Sequence, residues 1–514
     1  VSITPVSQPD ATTTVPKAGP REWVALAVLM LPVLLVSIDN TVLAFALPEI
    51  SAALRPSGAQ QLWIIDIYPL ILAGLLVSMG SFGDRIGRRR LLLIGATGFA
   101  AVSVIAAYAP SAEALIASRA ALGFFGAMLM PSTLSLLRNI FLDAAQRRLA
   151  IAVWASCFAA GAALGPIVGG FLLEHAWWGS VFLLAVPVLI PLLILGPIFV
   201  PESRDPAPGR IDVVSIALSM LALAPLVFAI KNLANGKSVV ATAVLTVVGI
   251  VSLVSFVRRQ LRRPDPMLDV RLFRVPTFSG AVLVNLLSVV SLVGFLFFVS
   301  QHLQLVIGQS PMQAGMSLVP GLGAMVVAGL AVVSLVRWVR PSTIIVSALL
   351  LSALGYALVL MLASPTAVTP IIVAFAVLGA GIGAAETLSN DLIVSSVPPE
   401  KAGAASAVSE TAYEMGAVLG TAVLGSILTA SYGANLRVPA GVGPEAAAAA
   451  RETLGGAHAV ADALPAEQAT ALLGAAGEAF DSGVTITSGI GMVLMVVSAL
   501  LAARMLTPRV PTSR

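Results

Sequence analysis

"LPVLLVSIDNTVLAFALP", residues 31–48, is an apolar run with an aspartate at its middle. Asp39 has no basic residue within a helical turn on either side. A run of this length and apolarity is read as a membrane-spanning helix. An ionised acid at the centre of a bilayer costs about 2.5–3.5 kcal/mol on insertion scales, so an acid kept there is a candidate functional group.

The rest of the chain has the same character. Of 514 residues, 58% are hydrophobic and 11% charged, and the mean hydropathy is +0.98. A soluble domain carries about 25% charged residues, so this composition is that of an integral membrane protein. Runs long enough to cross a bilayer recur fourteen times, near 24–48, 60–82, 91–109, 113–138, 149–173, 180–200, 214–232, 239–257, 277–304, 314–336, 343–363, 370–395, 404–431 and 483–503. They are too long and uniform for barrel strands, and an all-α polytopic fold is expected. The net charge of +4 is small and sits in short loops, which excludes nucleic acid as the partner. The single cysteine, Cys157, allows no internal disulfide. Residues 1–22 are polar and Pro/Thr-rich and are expected to be disordered. The first run is too long for a signal-peptide core and is expected to be retained.

Most of the 29 Lys and Arg residues fall in alternate connecting segments, and by the positive-inside rule these are cytoplasmic. Only Arg55, Lys231, Lys237, Arg437 and Arg451 fall in outer segments. Both termini are therefore expected in the cytoplasm. One outer loop, residues 432–482, is long. "GPEAAAAARETL" and "LPAEQATALLGAAGEAF" each follow a Pro or Gly with an early Glu, which predicts an external hairpin of two helices. The alternative is an unstructured Ala-rich loop.

Three motifs suggest moving parts. After the second run comes "GSFGDRIGRRR", with Gly80, Gly83, Asp84, Arg85, Gly87 and Arg88. A short Gly- and Arg-rich loop can latch two states by pairing with acids on a neighbouring helix; ordinary positive-inside charge is the other reading. The fifth run contains "GAALGPIVGG", with Gly161, Gly165, Pro166, Gly169 and Gly170. Glycines four apart make a groove for a neighbouring backbone, and Pro bends the helix, so the segment reads as packing surface or hinge. In the fourth run Arg119 lies about 9 Å from the outer end, where it either snorkels or finds a carboxylate.

Together these stretches resemble the signatures of the major facilitator superfamily. "GSFGDRIGRRR" is similar to its cytoplasmic loop motif and "GAALGPIVGG" to its antiporter motif. "IDNTVLAFALP" resembles the first-span signature of its drug:proton antiporter branch. Fourteen spans point to the 14-helix subfamily, which includes quaternary-ammonium, dye and fluoroquinolone efflux pumps. The resemblance implies a six-helix bundle at 23–200, inserted helices 7 and 8 at 201–276, a second six-helix bundle at 277–504 and a tail at 505–514. It also implies a midplane binding site between two bundles that rock in alternating access. After the tenth span "SLVRWVRPSTII" keeps Arg337 and Arg340 but lacks the glycines and the Asp. Latching is therefore expected to be stronger in the first bundle.

Five acids lie inside the spans: Asp39, Asp66, Glu386, Glu410 and Glu414. Ionised in lipid they would cost about 15 kcal/mol together, so they must face water, pair or hold protons. Glu410 and Glu414 share one helix face, about 9 and 15 Å deep. Carboxylates this close titrate as a coupled pair, and a bound cation would displace a proton from them, which is the simplest physics of antiport. Asp39, about 24 Å along the first span, is the third candidate for proton coupling. Asp66, with Tyr68, is a candidate for substrate binding or, at similar depth, a partner for Arg119. Glu386 reads as a second cation-binding carboxylate or a structural hydrogen-bonding group. Tyr413, Tyr68, Phe45, Phe124, Phe125, Met128 and Met130 are the residues that could stack on planar cations.

The sequence has no metal-ligand motif and no complete phosphate loop; "NGKS" at 235–238 lacks the earlier glycine. His175, His302 and His458 are isolated from one another. The expectation is a secondary transporter with no cofactor, driven by the proton gradient. It would be a monomer in the bacterial inner (plasma) membrane, exporting lipophilic cations such as quaternary ammonium compounds and dyes, with fluoroquinolones a further candidate. The rival readings are an exporter of a single endogenous metabolite and a transporter-like membrane sensor.

Overall fold

A computed structural model describes residues 17–204, 212–234, 238–263, 266, 268, 270–362, 367–397 and 402–506; some side chains inside helices, Asp84 among them, also lie outside that set. The disorder expected of the N-terminal segment concerns residues outside it up to position 16, and the first helix already begins at Pro20. Residues 235–237 of the "NGKS" stretch and most of the C-terminal tail lie outside it as well.

The first bundle consists of α1 (Pro20–Leu54), α2 (Gly58–Ile86), α3 (Arg88–Ala107), α4 (Ala112–Ile140), α5 (Ala144–His175) and a broken sixth span, α6 (Ser180–Leu183) with α7 (Ala185–Phe199). The inserted pair is α8 (Val213–Ala234) and α9 (Val239–Arg262). The second bundle contains α10 (Pro276–Gln301), which ends in a π-turn at His302–Val306, then α11 (Pro311–Leu335), α12 (Pro341–Leu362) and α13 (Val368–Ser395). Its next span is α14 (Ala402–Leu419), a π-turn at Gly420–Gly425 and α15 (Ser426–Asn435). Two short external helices follow, α16 (Pro444–Glu452) and α17 (Leu454–Ala461), before α18 (Ala466–Met505).

Thirteen spans among the described residues are long and apolar enough to cross a membrane. The other expected span is α5, a single helix of 32 residues in which several side chains are not described. The outer loop differs from the expected hairpin. Its first helix is α16, but "AEQATALLGAAGEAF" is no separate hairpin arm: it is the outer end of α18, a continuous helix of 40 residues. No proline interrupts the chain between Ala466 and Met505, so nothing breaks the hydrogen-bond ladder there.

Helix starts follow local chemistry. Ser57 Oγ accepts from the Gln60 backbone N–H while Ser57 N–H donates to the Gln60 side chain, and Ser310 and Gln313 do the same at the head of α11. Pro opens α1, α10, α11 and α16, where a missing N–H costs nothing.

The glycines of α5 seat two neighbours. A Cβ at Gly161 would lie 2.7 Å from Ser37 Cβ, one at Gly169 2.6 Å from Val42 Cγ2, and one at Gly165 would collide with Thr41. These three lie four apart and take in α1. On the other side a Cβ at Gly170 would lie 2.5 Å from Met312 Cα, and one at Gly315 2.5 Å from the Pro166 carbonyl oxygen. Thus α5 packs on α1 within its own bundle and on α11 across the bundle interface. The bundles also meet where α2 runs along α14 and α1 along α10. Toward the outer side Gln304 Nε2 donates to the Phe45 carbonyl at 3.3 Å across this interface, and Ser310 Oγ bonds Glu174.

The inserted pair rests on the α2–α14 seam. Leu70, Val227, Val418 and Ala422 form one buried cluster there, and Trp63 of α2 meets Phe228 of α8 at 4.9 Å between ring centroids. At the inner end of α8, Asp212 accepts from Arg259 Nη2 at 2.8 Å and from Arg263 Nη1 at 2.5 Å. Burial acts to raise the Asp212 carboxyl, but hydrogen bonds from Arg259 and Ser215 outweigh it and hold the group well below the usual carboxylate range.

Candidate functional site

Asp39 projects from α1 into the first bundle and is 8% exposed. Its Oδ2 accepts from Arg119 Nη1 of α4 at 2.7 Å. Arg119 is 2% exposed. Its Nε donates to the Ile64 carbonyl of α2 at 3.2 Å, and its guanidinium lies 4.5 Å from the centroid of the Tyr68 ring. So Arg119 does not snorkel. It ties α1, α2 and α4 together, and the acid in its ion pair is Asp39, where depth alone left Asp66 a candidate. Asp66 is fully buried on α2, one helical turn or less from Tyr68.

The second group of acids comes from the other bundle. Glu414 on α14 is buried and lies within electrostatic reach of Glu410, one turn inward, and of Asp39, with the Asn40 side chain beside it. Tyr413 lies near both Glu414 and Glu386 of α13. Its ring meets Phe158 of α5 edge to face, centroids 5.7 Å apart, and Phe158 stacks on Trp154 at 6.4 Å. Trp154 Nε1 donates to Thr133 Oγ1 of α4 at 3.1 Å. An aromatic row thus runs from α5 to α14 beside the acids.

Asp39, Tyr68, Arg119, Glu414, Glu410, Tyr413 and Glu386 therefore form one constellation across the bundle interface. It carries more acids than bases and has aromatic walls. Such a site can hold protons, or hold cations by charge and ring faces. Phe158 and Trp154 were missed from sequence; they sit in the fifth run at i and i+4, a spacing that marks a shared face. The other aromatic and Met candidates lie elsewhere. Phe45 is in the core of α1, Phe124 is 41% exposed on the lipid side, and Phe125 and Met128 pack on Gly98 and Gly95 of α3. Met130 is buried in the core.

Beside the cytoplasmic loop motif, the end of the sixth span supplies an acid. Gly87 ends α2 with φ of 110°, and a Cβ there would lie 2.7 Å from Glu202. Glu202, just after α7, accepts from the Arg89 backbone N–H at 3.0 Å and lies 3.9 and 4.0 Å from the side chains of Arg89 and Arg90. Arg89 Nη1 also donates to the Pro197 and Val200 carbonyls at the end of α7. The clasp is formed by Arg89, Arg90 and Glu202. Arg85 is exposed, and the Asp84 side chain lies outside the described set. Gly80 and Gly83 face Pro131 and Leu91.

The Major Facilitator Superfamily model matches residues 29–421. The multidrug efflux pump LfrA of Mycolicibacterium smegmatis is 58% identical over 490 residues, covering 95% of this chain and 97% of that one. The methyl viologen resistance protein SmvA of Salmonella typhimurium is 36% identical over 481 residues, 93% and 97% of the two chains. The tetracenomycin C resistance and export protein of Streptomyces glaucescens is 33% identical over 493 residues, 94% and 91%. Among solved structures, an inward-facing, unoccupied bacterial homologue of the human lysosomal transporter Spinster superposes with a TM-score of 0.65. That match, at 18% identity over 96% of this chain and all of the other, shows the shared fold. The chain belongs to the Major Facilitator Superfamily, as a multi-pass transporter of the bacterial inner membrane.

Proposed function

We propose that the chain is a multidrug efflux antiporter, exporting lipophilic cations in exchange for protons by alternating access. The observation that carries the reading is the group of buried acids shared between the bundles, Asp39 from α1 with Glu410 and Glu414 from α14, beside the Phe158–Tyr413 ring pair. The names of LfrA and SmvA, a multidrug efflux pump and a methyl viologen resistance protein, support cationic drugs as cargo.

The chemistry is mutual exclusion. A bound cation and a proton each offset the negative charge of Glu410 and Glu414, so each weakens the site's attraction for the other. Asp39 is held by Arg119, which ties α1 to α4 beside that pair. Glu386 adds a second anionic wall beside Tyr413. Tyr68 forms the floor under Arg119, and Asp66 lies on the same helix two residues away. The Arg89–Arg90–Glu202 clasp keeps α2, α3 and α7 together while the inner side opens and closes, and α5 couples the bundles through its two glycine faces.

The test is ethidium transport by purified protein in liposomes under an imposed pH gradient. Uphill transport should collapse with the gradient and fall at least tenfold in Glu414→Gln. Asp39→Asn should also abolish coupling. No gradient-driven movement of ethidium or any cation on a short panel, with the protein folded, refutes the reading and favours a single-metabolite exporter or a sensor.

A further inference from the structure

A cavity of about 240 Å³ lies in the outer part of the second bundle, away from the central acids. Its walls come from α10, α12, α13 and α18, all of one bundle, so it is not part of the passage between the bundles. Phe295 and Phe298 offer ring faces, Val359 and Ile371 close the sides, and His302 and Asp481 supply the polar edge. His302 begins the π-turn that ends α10, and its ring stacks along Phe480. Its Nδ1 is 3.0 Å from Asp481 Oδ1, and the Asp481 side chain is 31% exposed. Apart from this contact neither atom has a polar partner among the described residues.

We propose that this cavity is a second, peripheral cation site, which takes a compact aromatic quaternary ammonium ion. Three observations fit that ligand. The volume is below the roughly 300–1,000 Å³ of pockets for drug-sized molecules, so the occupant is small. The walls are apolar and aromatic, which suits a cation whose charge is spread over carbon. The one carboxylate is that of Asp481, whose Oδ1 is buried at the cavity edge without a hydrogen-bond partner among the described residues. The helices packed on this π-turn bring few other charges. α10 and α11 have none, α17 brings His458, whose Nε2 is occupied by the Leu305 carbonyl, and α18 brings Glu478, exposed one turn from Asp481.

Because all its walls belong to one bundle, the site does not depend on the central antiport reading. The experiment is isothermal titration of purified full-length protein with benzyltrimethylammonium chloride. Saturable binding is expected at pH 7.5 in the Glu414→Gln background, which disables the central cation site, and at least tenfold weaker binding when Asp481→Asn is added. Ile371→Trp, which fills the cavity and keeps the carboxylate, should also abolish it. Affinity unchanged by Asp481→Asn in that background, or unaltered binding in Ile371→Trp, overturns the proposal, as does an absence of saturable binding. Ethidium transport that still depends on Glu414 would then leave the central reading standing.

Discussion

Replacing Arg119 by Met should destabilise the protein strongly. The substitution keeps an unbranched apolar stem and removes the charge. Asp39 is left 8% exposed with its ion-pair partner gone. Breaking a buried pair from one side costs about 3–5 kcal/mol. Loss of the bond to the Ile64 carbonyl adds about 1 kcal/mol. The expected deficit is therefore about 4–6 kcal/mol. Reversible unfolding in mixed detergent micelles, followed by tryptophan fluorescence, measures it. Asp39→Asn in the Arg119→Met background removes the uncompensated charge and should recover about 2 kcal/mol or more. A deficit under about 1 kcal/mol, or no recovery in the double variant, refutes the reasoning.

Gly165→Ala should cost about 1–3 kcal/mol and lower transport, because the new methyl meets Thr41 on α1; Thr41→Ala should restore part of both in a thermal-stability and transport assay. Gly87→Ala should lose about 2 kcal/mol or more and impair transport, since a φ of 110° strains any side chain and the Cβ meets Glu202; yield and melting midpoint report it. Asp212→Asn should speed hydrogen exchange through α8 and α9 and leave α10–α13 unaffected. Since Arg259 and Ser215 hold Asp212 below its usual value, its contribution is complete above about pH 5 and is lost only as pH falls through the depressed value. Wild-type exchange of that pair, corrected for intrinsic rate, should therefore match at pH 7 and pH 5.

The spans were legible because lipid imposes one rule on every crossing segment: about 20 apolar residues with all backbone groups satisfied internally. The central acids were legible for the opposite reason, as exceptions to that rule. What sequence could not give was pairing. Asp39 and Arg119 are 80 positions apart, and Asp66 lies at a similar depth to Arg119, so only the packing of α1 against α4 decides between them. Glu202 was overlooked because an acid in a polar loop costs nothing and draws no attention; its role appears only when the end of α7 meets the start of α3. Trp154 and Phe158 break no rule of the lipid and so stood out in no pattern; the contact of Phe158 with Tyr413 across the bundles is what gives them a place at the site. The outer loop went wrong at Ala466–Gly483, where an Ala-rich segment that looked separate from its neighbour has no residue able to stop the helix.

The π-turn at Gly420–Gly425 sets a phase. One extra residue in a turn rotates everything beyond it by about 100°. Inward of the turn, α14 points Glu414 toward Asp39 and Asn40 of α1. Outward of it, α15 lays Leu428 against Gly483 of α18, and Tyr432 donates to the Ala450 carbonyl of α16. A uniform α-helix with one residue fewer could keep the aim of the acids or the seat of Leu428 and Tyr432, but not both. The angular offset between the acids and the outer packing is therefore written into the chain as a single residue.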